Sequence, residues 1–233
     1  MKVIAINGSA KRQKGVTYDI YSRFIKGMEV AGATVNSIDL IDRNIESCRA
    51  CMDCWYTNPG KCFVHDEMDS IIKEMVHADL ILLESPIYLH SASAQFKKFI
   101  ERCMPINNRD FRIDDDGYFQ HCTNYKIPPL IVISSCGLPG NHNFEAIDMF
   151  FEKLAGGWDT QIVGKIYLSE AFLLKMEIPE LKVLKEDYYK RLIECAKEVV
   201  TTGHIEEKTQ KHINTILLKS HIYVETAQVI DFM

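Results

Sequence analysis

No stretch of this sequence approaches the roughly 20 apolar residues of a membrane-spanning helix, so no membrane role is expected. No basic block is present either. The 27 Lys and Arg stand against 32 Asp and Glu, a net charge of −5. That balance argues against nucleic acid or an anionic membrane surface as a partner. No secretory leader is expected, since Met1-Lys2 runs straight into the strand-like Val3-Ile4-Ala5-Ile6, and the expected location is the cytoplasm. Two nucleotide-binding fingerprints are missing as well. The first loop has glycine only at Gly8 and Gly15, which does not fit the dinucleotide motif, and no Gly-Lys-Ser/Thr closes it as a Walker loop would.

What is present is a soluble globular composition, 47% hydrophobic and 25% charged over 233 residues. That length suits one large domain, or one domain with an appendage. Eight cysteines are unevenly spread. Cys48, Cys51 and Cys54 follow one another at intervals of two intervening residues, and Cys62 comes after a Pro59-Gly60 turn. Thiolates at that spacing can curl round one small inorganic centre. An iron–sulfur cluster, a zinc ion, a redox disulfide set and four unrelated thiols all remain open. A reducing compartment favours metal or redox chemistry over structural disulfides. Cys103, Cys122, Cys136 and Cys195 read as buried or incidental thiols.

Along the chain, Val3 to Ile6 is followed by the polar loop Gly8 to Thr17 and then by apolar residues at helical spacing from Tyr18 to Met28. Strand, small polar loop and helix place backbone N–H groups at a helix N-terminus, where an anion is favoured. The loop is long enough to wrap one phosphate; the plainer reading is a polar turn capped by Thr17. Ala33 to Leu40 reads as a second strand, with the cysteine loop (46–65) after it. A helix is expected over Asp66 to Val76, its first-turn acids complementing the dipole. Ala78 to Glu84 is an apolar third strand of the kind covered on both faces. The polar segment Ser85 to Ser93 leads to a helix over Ala94 to Met104, ended by Pro105. An insertion (105–126) carries Asp114-Asp115-Asp116-Gly117, read as a hairpin turn rather than a metal site. Pro128 to Ser135 is strand four, a helix covers Asn141 to Leu154, Trp158 to Leu168 carries strand five, and Pro179 to Val200 is a long amphipathic helix. Residues 204–233 read as a C-terminal helical arm packing on the domain or on a second subunit.

This alternation predicts a five-stranded, parallel, doubly wound α/β sheet over residues 1–203. Ligands in such sheets bind beyond the carboxyl ends of the strands, where strand order reverses. Three polar loops meet there: Gly8 to Thr17, Ser85 to Ser93 and Ser134 to Gly140. The cysteine loop leaves the carboxyl end of strand two and is expected to open on the same edge.

Gly8-Ser9-Ala10-Lys11…Gly15-Val16-Thr17 and Ser85-Pro86-Ile87-Tyr88…Ser91-Ala92-Ser93-Ala94-Gln95-Phe96-Lys97-Lys98-Phe99-Ile100-Glu101-Arg102 together resemble the NAD(P)H-dependent FMN reductases of flavodoxin-like fold. The four cysteines, with Gly60-Lys61-Cys62…Asp66-Glu67-Met68, resemble the compact motif of the iron–sulfur flavoproteins within that group. The resemblance covers roughly the first 200 residues and implies strand order 2-1-3-4-5. It implies an FMN whose phosphate sits on Ser9, Lys11, Val16 and Thr17. The flavin ring would lie along Pro86, Ile87, Tyr88 and Ser91, with Ser135, Cys136 and Gly137 at its far edge. Three residues depart from the family pattern. Lys11 stands where arginine is usual and offers a point charge instead of a planar fork. Val16 stands where asparagine is usual and offers only its backbone N–H. His90 replaces a glycine and reads as a surface loop residue.

Zinc sites usually join two separate Cys-x-x-Cys pairs. Three consecutive thiols at this spacing suit a [4Fe–4S] cubane on Cys48, Cys51, Cys54 and Cys62. A flavin exchanges electrons in pairs or singly, and a cluster exchanges them singly. The expected protein is an FMN-dependent oxidoreductase that passes electrons between ferredoxin or NAD(P)H, the cluster and FMN, and on to a small oxidant or quinone. Two other readings stay open: a cluster-free NAD(P)H:FMN or quinone reductase, and a non-enzymatic carrier on the same fold. A homodimer or homotetramer, contacted through the C-terminal arm, is expected.

Overall fold

A computed structural model of the chain describes residues 1–215 and 217. The strands are β1 (Lys2–Asn7), β2 (Thr34–Asp39), β3 (Leu80–Glu84), β4 (Ile87–Tyr88), β5 (Ser91–Ala92), β6 (Asn107–Ile113), β7 (Phe119–Thr123), β8 (Leu130–Ser135) and β9 (Ile162–Leu168). The helices are α1 (Val16–Val30), α2 (Asp53–Tyr56), α3 (Met68–Val76), α4 (Ala94–Arg102), α5 (Glu145–Gly157), α6 (Lys182–Thr202) and α7 (Glu207–Ile213).

Five strands pair in parallel in the order β2-β1-β3-β8-β9. Counting those strands alone, the order is 2-1-3-4-5, as the sequence implied. The apolar runs explain why they form a doubly covered sheet. Successive strand residues point to opposite faces, and here both faces are buried. Ile4, Ile6, Ile81, Leu83, Leu130 and Val132 face α3, α4 and α5. Val3, Ala5, Leu80, Leu82, Ile131 and Ile133 face α1 and α6. Gly27 lets α1 and α6 approach closely, since a Cβ there would lie 2.7 Å from Ala196 Cβ.

Several boundaries differ from the sequence expectation. α3 starts at Met68, so Asp66 and Glu67 lie before the helix rather than in its first turn. α4 ends at Arg102; Pro105 sits inside a 3₁₀ turn, Met104–Ile106, and does not itself stop the helix. Strand five begins at Ile162, because Trp158 closes the end of α5. The insertion is the antiparallel hairpin β6–β7. Its turn is held by the Tyr118 N–H donating to Asp114 Oδ1 at 2.8 Å, with Gly117 at φ 84°. The acidic run is therefore a turn.

Residues 204–214 lie along the free edge of β9. The Ile205 N–H donates to the Val163 carbonyl. Gln210 Oε1 accepts from the Lys165 N–H, and Asn214 Oδ1 accepts from the Tyr167 N–H. Gln210 and Asn214 are one helical turn apart and Lys165 and Tyr167 two strand residues apart, so side-chain amides replace a sixth strand and cover the edge. Of the arm expected over 204–233, residue 216 and those from 218 on lie outside the described residues.

Candidate functional site

At the carboxyl edge of the sheet, the loops after β1, β3 and β8 border an open hollow. Its lining contains Ser9, Lys11, Val16, Thr17, Pro86, Ile87, Tyr88, Ser135, Cys136 and Gly137. Ten of the eleven residues singled out for FMN are thus brought together. The eleventh, Ser91, lies beside them without lining the hollow; it pairs with Tyr88 across the β4–β5 hairpin. Ala171 and Phe172 also line the hollow. Nothing in their side-chain chemistry marked them in the sequence.

Each loop is fixed by identifiable bonds. Gly15, not Thr17, is the N-cap of α1, and no side chain caps that helix. The first N–H groups of α1 are therefore left for an anion. Thr17 instead bonds across the hollow, its hydroxyl 2.7 Å from that of Ser135. A Cβ on Gly15 would come within 2.9 Å of Ser9 Oγ, so the cradle closes this tightly only round a glycine. The Ser85–Ser93 segment is pinned from three sides. Ser134 Oγ donates to the Ser85 carbonyl, the Ser93 N–H donates to Ser85 Oγ, and Ser93 Oγ donates to the Gly8 carbonyl at 2.6 Å. Ser93 also accepts from the Phe96 N–H as the N-cap of α4. Leu89 and His90 form the hairpin tip at φ 47° and 66°. His90 is exposed, in line with the surface reading.

The cradle fits one phosphate: a lysine, two hydroxyl residues and an uncapped helix N-terminus converge on it. The wall formed by Pro86, Ile87 and Tyr88 fits a flat ring beside it. Beneath the cradle lies Glu84, fully buried at the end of β3. Its Oε2 accepts from the Gly8 N–H at 3.1 Å. Burial pushes its carboxyl up to about 8, against the N–H groups of Gly8 and Ser9, which favour the charged form.

The four clustered cysteines line a second, small cavity, together with Phe63, Val64, Arg102, Met104 and Pro105. The chain reverses between them at Ala50 and Met52, both left-handed at φ 50° and 62°. The Ala50 N–H donates to Cys48 Sγ at 3.5 Å. Gly60, at φ 81°, turns the chain back, and its N–H donates to the Cys54 carbonyl at 3.0 Å. All four thiols are free. Burial pushes Cys54 up to about 11, with the neighbouring thiols Cys62, Cys51 and Cys48 acting in the same direction. Among the described residues, no three His, Cys, Asp or Glu side chains are gathered so as to hold a single metal ion. The four cysteines border one cavity. That donor set, of soft ligands with largely apolar company, fits a cluster better than an ion.

A buried ion pair clasps the ends of the cysteine loop. Arg102 Nη1 donates to Asp66 Oδ2 at 2.5 Å and Nη2 to Oδ1 at 3.0 Å. Both side chains are 1% exposed. Arg102 also donates to the carbonyls of Glu46 and Val64, and Asp66 accepts the Glu46 and Met68 N–H groups. Arg102 thus holds both ends of the loop while lining the cysteine cavity. The loop does not open on the flavin edge, as the sequence order suggested. It crosses to the far end of α4, because Arg102 ends that helix and Ser93 begins it. Nine residues of helix, about 13 Å, separate the ends that hold the two sites.

A doubly wound parallel sheet with a one-phosphate cradle and a flat slot beyond β1, β3 and β8 defines a flavodoxin-like, FMN-type protein. The sequence agrees. Residues 1–169 match the family described as NADPH-dependent FMN reductase, and the chain belongs to that family. It is also similar to an iron-sulfur flavoprotein of Methanocaldococcus jannaschii, 36% identical over 46% of this chain and 53% of the relative. An iron-sulfur flavoprotein of Archaeoglobus fulgidus is 30% identical over 47% of this chain and 48% of the relative. The chain therefore matches about half the length of these curated relatives. Solved structures share the fold. An NAD(P)H:quinone oxidoreductase from Methanothermobacter marburgensis superposes with a TM-score of 0.64 at 13% identity, over 85% of this chain and 98% of that one. An azoreductase from Bacillus anthracis str. Sterne does so with a TM-score of 0.59 at 14% identity, over 86% and 98%.

Proposed function

We propose that this protein is an FMN-dependent oxidoreductase with a second redox centre, a [4Fe–4S] cluster on Cys48, Cys51, Cys54 and Cys62. Ser9, Lys11, Thr17 and the N–H groups opening α1 would hold the FMN phosphate. Pro86, Ile87 and Tyr88 would set the plane of the ring, with Ser135, Cys136 and Gly137 along its edge. Bound FMN supplies two-electron and one-electron transfer; the protein orients it and shields it from competing oxidants. The four thiolates would hold the cluster, and the Ala50 N–H at Cys48 supplies a hydrogen bond of the kind that tunes cluster potential. Donors of the proposed reaction are ferredoxin or NAD(P)H, and the acceptor is a small oxidant or quinone. A homodimer or homotetramer using the C-terminal arm is part of this reading.

The observation that carries it is the placing of four free thiols round one cavity, at one end of the helix whose other end secures the flavin loop. The exposure of Cys51 favours, as a second reading, a cluster-free reductase with reactive thiols. Anaerobic purification with absorption spectroscopy and FMN, iron, sulfide and zinc analysis separates them. An iron-free yellow protein defeats the cluster, and a protein without flavin defeats the whole assignment. Cys54→Ser is expected to lose iron and keep FMN; loss of both together would show the loop to be structural.

A further inference from the structure

Glu84 is fully buried directly behind the phosphate cradle. Its Oε2 accepts from the Gly8 N–H at 3.1 Å, whereas the Ser9 N–H donates to Asn7 Oδ1 at 2.9 Å. Oε1 has no hydrogen-bond partner among the described residues. The Gly8–Ser9 loop lies between Glu84 and the hollow: the Gly8 N–H meets the carboxyl on one side, and Ser9 lines the hollow on the other. No cation neutralises Glu84: it takes part in none of the ion pairs of the described residues. The titratable groups facing it are Asp39 from β2, Tyr21 from α1 and Tyr88 from the β4 hairpin. α4 contributes only Phe96, packed against Gly8.

A carboxylate so placed and a bound phosphate would be two anions on either side of the Gly8–Ser9 loop, with Lys11 lining only the phosphate side. Each of two neighbouring like charges disfavours ionisation of the other. Either the phosphate binds weakly or the carboxyl becomes neutral. The orphaned Oε1 is where a proton would sit. We propose that Glu84 takes up a proton from solvent when the phosphate of FMN binds, so that phosphate recognition in this cradle is proton-coupled. The step is an acid–base equilibrium: one O–H bond forms on Glu84, the proton comes from water or buffer, and no electrons move. The inference rests on FMN occupying the cradle, as proposed above.

The linkage has a defined sign. With the carboxyl of the ligand-free protein pushed up to about 8 by burial, Glu84 is largely neutral at pH 7 and largely ionised at pH 9. FMN should therefore bind best at the lower pH, and its affinity should fall by about tenfold between pH 7 and pH 9. The phosphate itself is already doubly ionised there, with its second pKa at about 6. Riboflavin lacks the phosphate and should bind without this slope.

The test is calorimetric titration of the apoprotein with FMN and with riboflavin between pH 7 and pH 9, in buffers of different ionisation enthalpy, for wild type and Glu84→Gln. Net proton uptake with FMN, rising across this range, is expected for wild type. Riboflavin should show none, and Glu84→Gln should bind FMN with a flat profile. The wild-type proton count stands by itself if the variant does not fold. FMN binding without proton uptake would overturn the inference alone, as would an equal slope for riboflavin or an unchanged slope in Glu84→Gln. Failure of FMN to bind at any pH would overturn the FMN assignment and this inference with it.

Discussion

Replacing Arg102 with methionine tests whether the cysteine loop is held by its buried clasp. The guanidinium and the Asp66 carboxylate are each 1% exposed and meet through two parallel N–H···O bonds. Methionine keeps much of the volume but leaves Asp66 as a buried charge, supported only by the N–H groups of Glu46 and Met68. Breaking one side of such a pair costs about 3–5 kcal/mol. At about 2–4 °C per kcal/mol for a chain of this size, the melting temperature should drop by roughly 6–20 °C. Arg102→Met/Asp66→Asn should recover part of the loss, since the amide carries no charge to bury. The wild-type profile also has a pH signature. Burial alone would raise Asp66, but the Arg102 and backbone hydrogen bonds outweigh it and hold the group below the usual carboxylate range. A depressed carboxyl contributes stability that is present above its unfolded pKa, near ~3.9, and is lost as pH falls through the folded value. The clasp's contribution should thus vanish at acid pH. Thermal unfolding followed by circular dichroism from pH 3 to pH 7, with proteolysis of residues 46–65, reads both effects. A melting temperature within 2 °C of wild type at pH 7, or no coupling in the double variant, would refute the reasoning.

Lys11→Ala should weaken FMN binding at least tenfold while leaving riboflavin unchanged, as measured by flavin fluorescence; equal losses for both ligands would remove Lys11 from the phosphate. Gly27→Ala places a methyl 2.7 Å from Ala196 Cβ, and overpacking of about 1–3 kcal/mol should exceed the ~1 kcal/mol helix-propensity gain. A higher melting temperature would show that α1 and α6 separate freely. Truncation after Leu217 keeps Gln210 and Asn214 on the β9 edge, whereas truncation after Gly203 bares it. Only the shorter chain should aggregate in light scattering. If 218–233 carry the oligomer contact, the longer one should lose mass in solution.

The sheet was legible because its strands are continuous apolar runs, and a strand covered on both faces needs no polar alternation. That Ser9, Lys11 and Thr17 would line one hollow was legible because they lie within one loop of sequence. Less was visible where meaning depends on distant partners. Asp66 looked like a first-turn acid of α3; its partner Arg102 is 36 residues away and reads in sequence as an ordinary basic end of α4. Glu84 looked like the polar end of an apolar strand. Only the fold shows that β3 delivers it, without a cation, beneath the β1 loop. Ala171 and Phe172 carry no chemistry that a motif search can register. The cysteine spacing was informative about a shared cavity and uninformative about where it lies, since twenty residues of loop can reach either end of a sheet.

That last point changes how the two sites relate. Had the cysteine loop opened on the flavin edge, the two cavities would compete for one rim and share its loops. Placed at opposite ends of α4, they are coupled through one short helix whose apolar side, Phe96 and Phe99, is wholly buried. Ser93 at its start bonds the Gly8 carbonyl of the phosphate loop. Arg102 at its end bonds both ends of the cysteine loop. A packed helix resists bending and sliding, so the separation of the two cavities is set by a rigid element and not by either loop. Loss of a cysteine can then empty one site without disturbing the other, whereas a change that shifts α4 must disturb both. The arrangement holds the two cavities a fixed distance apart while keeping the protein groups that line each of them separate.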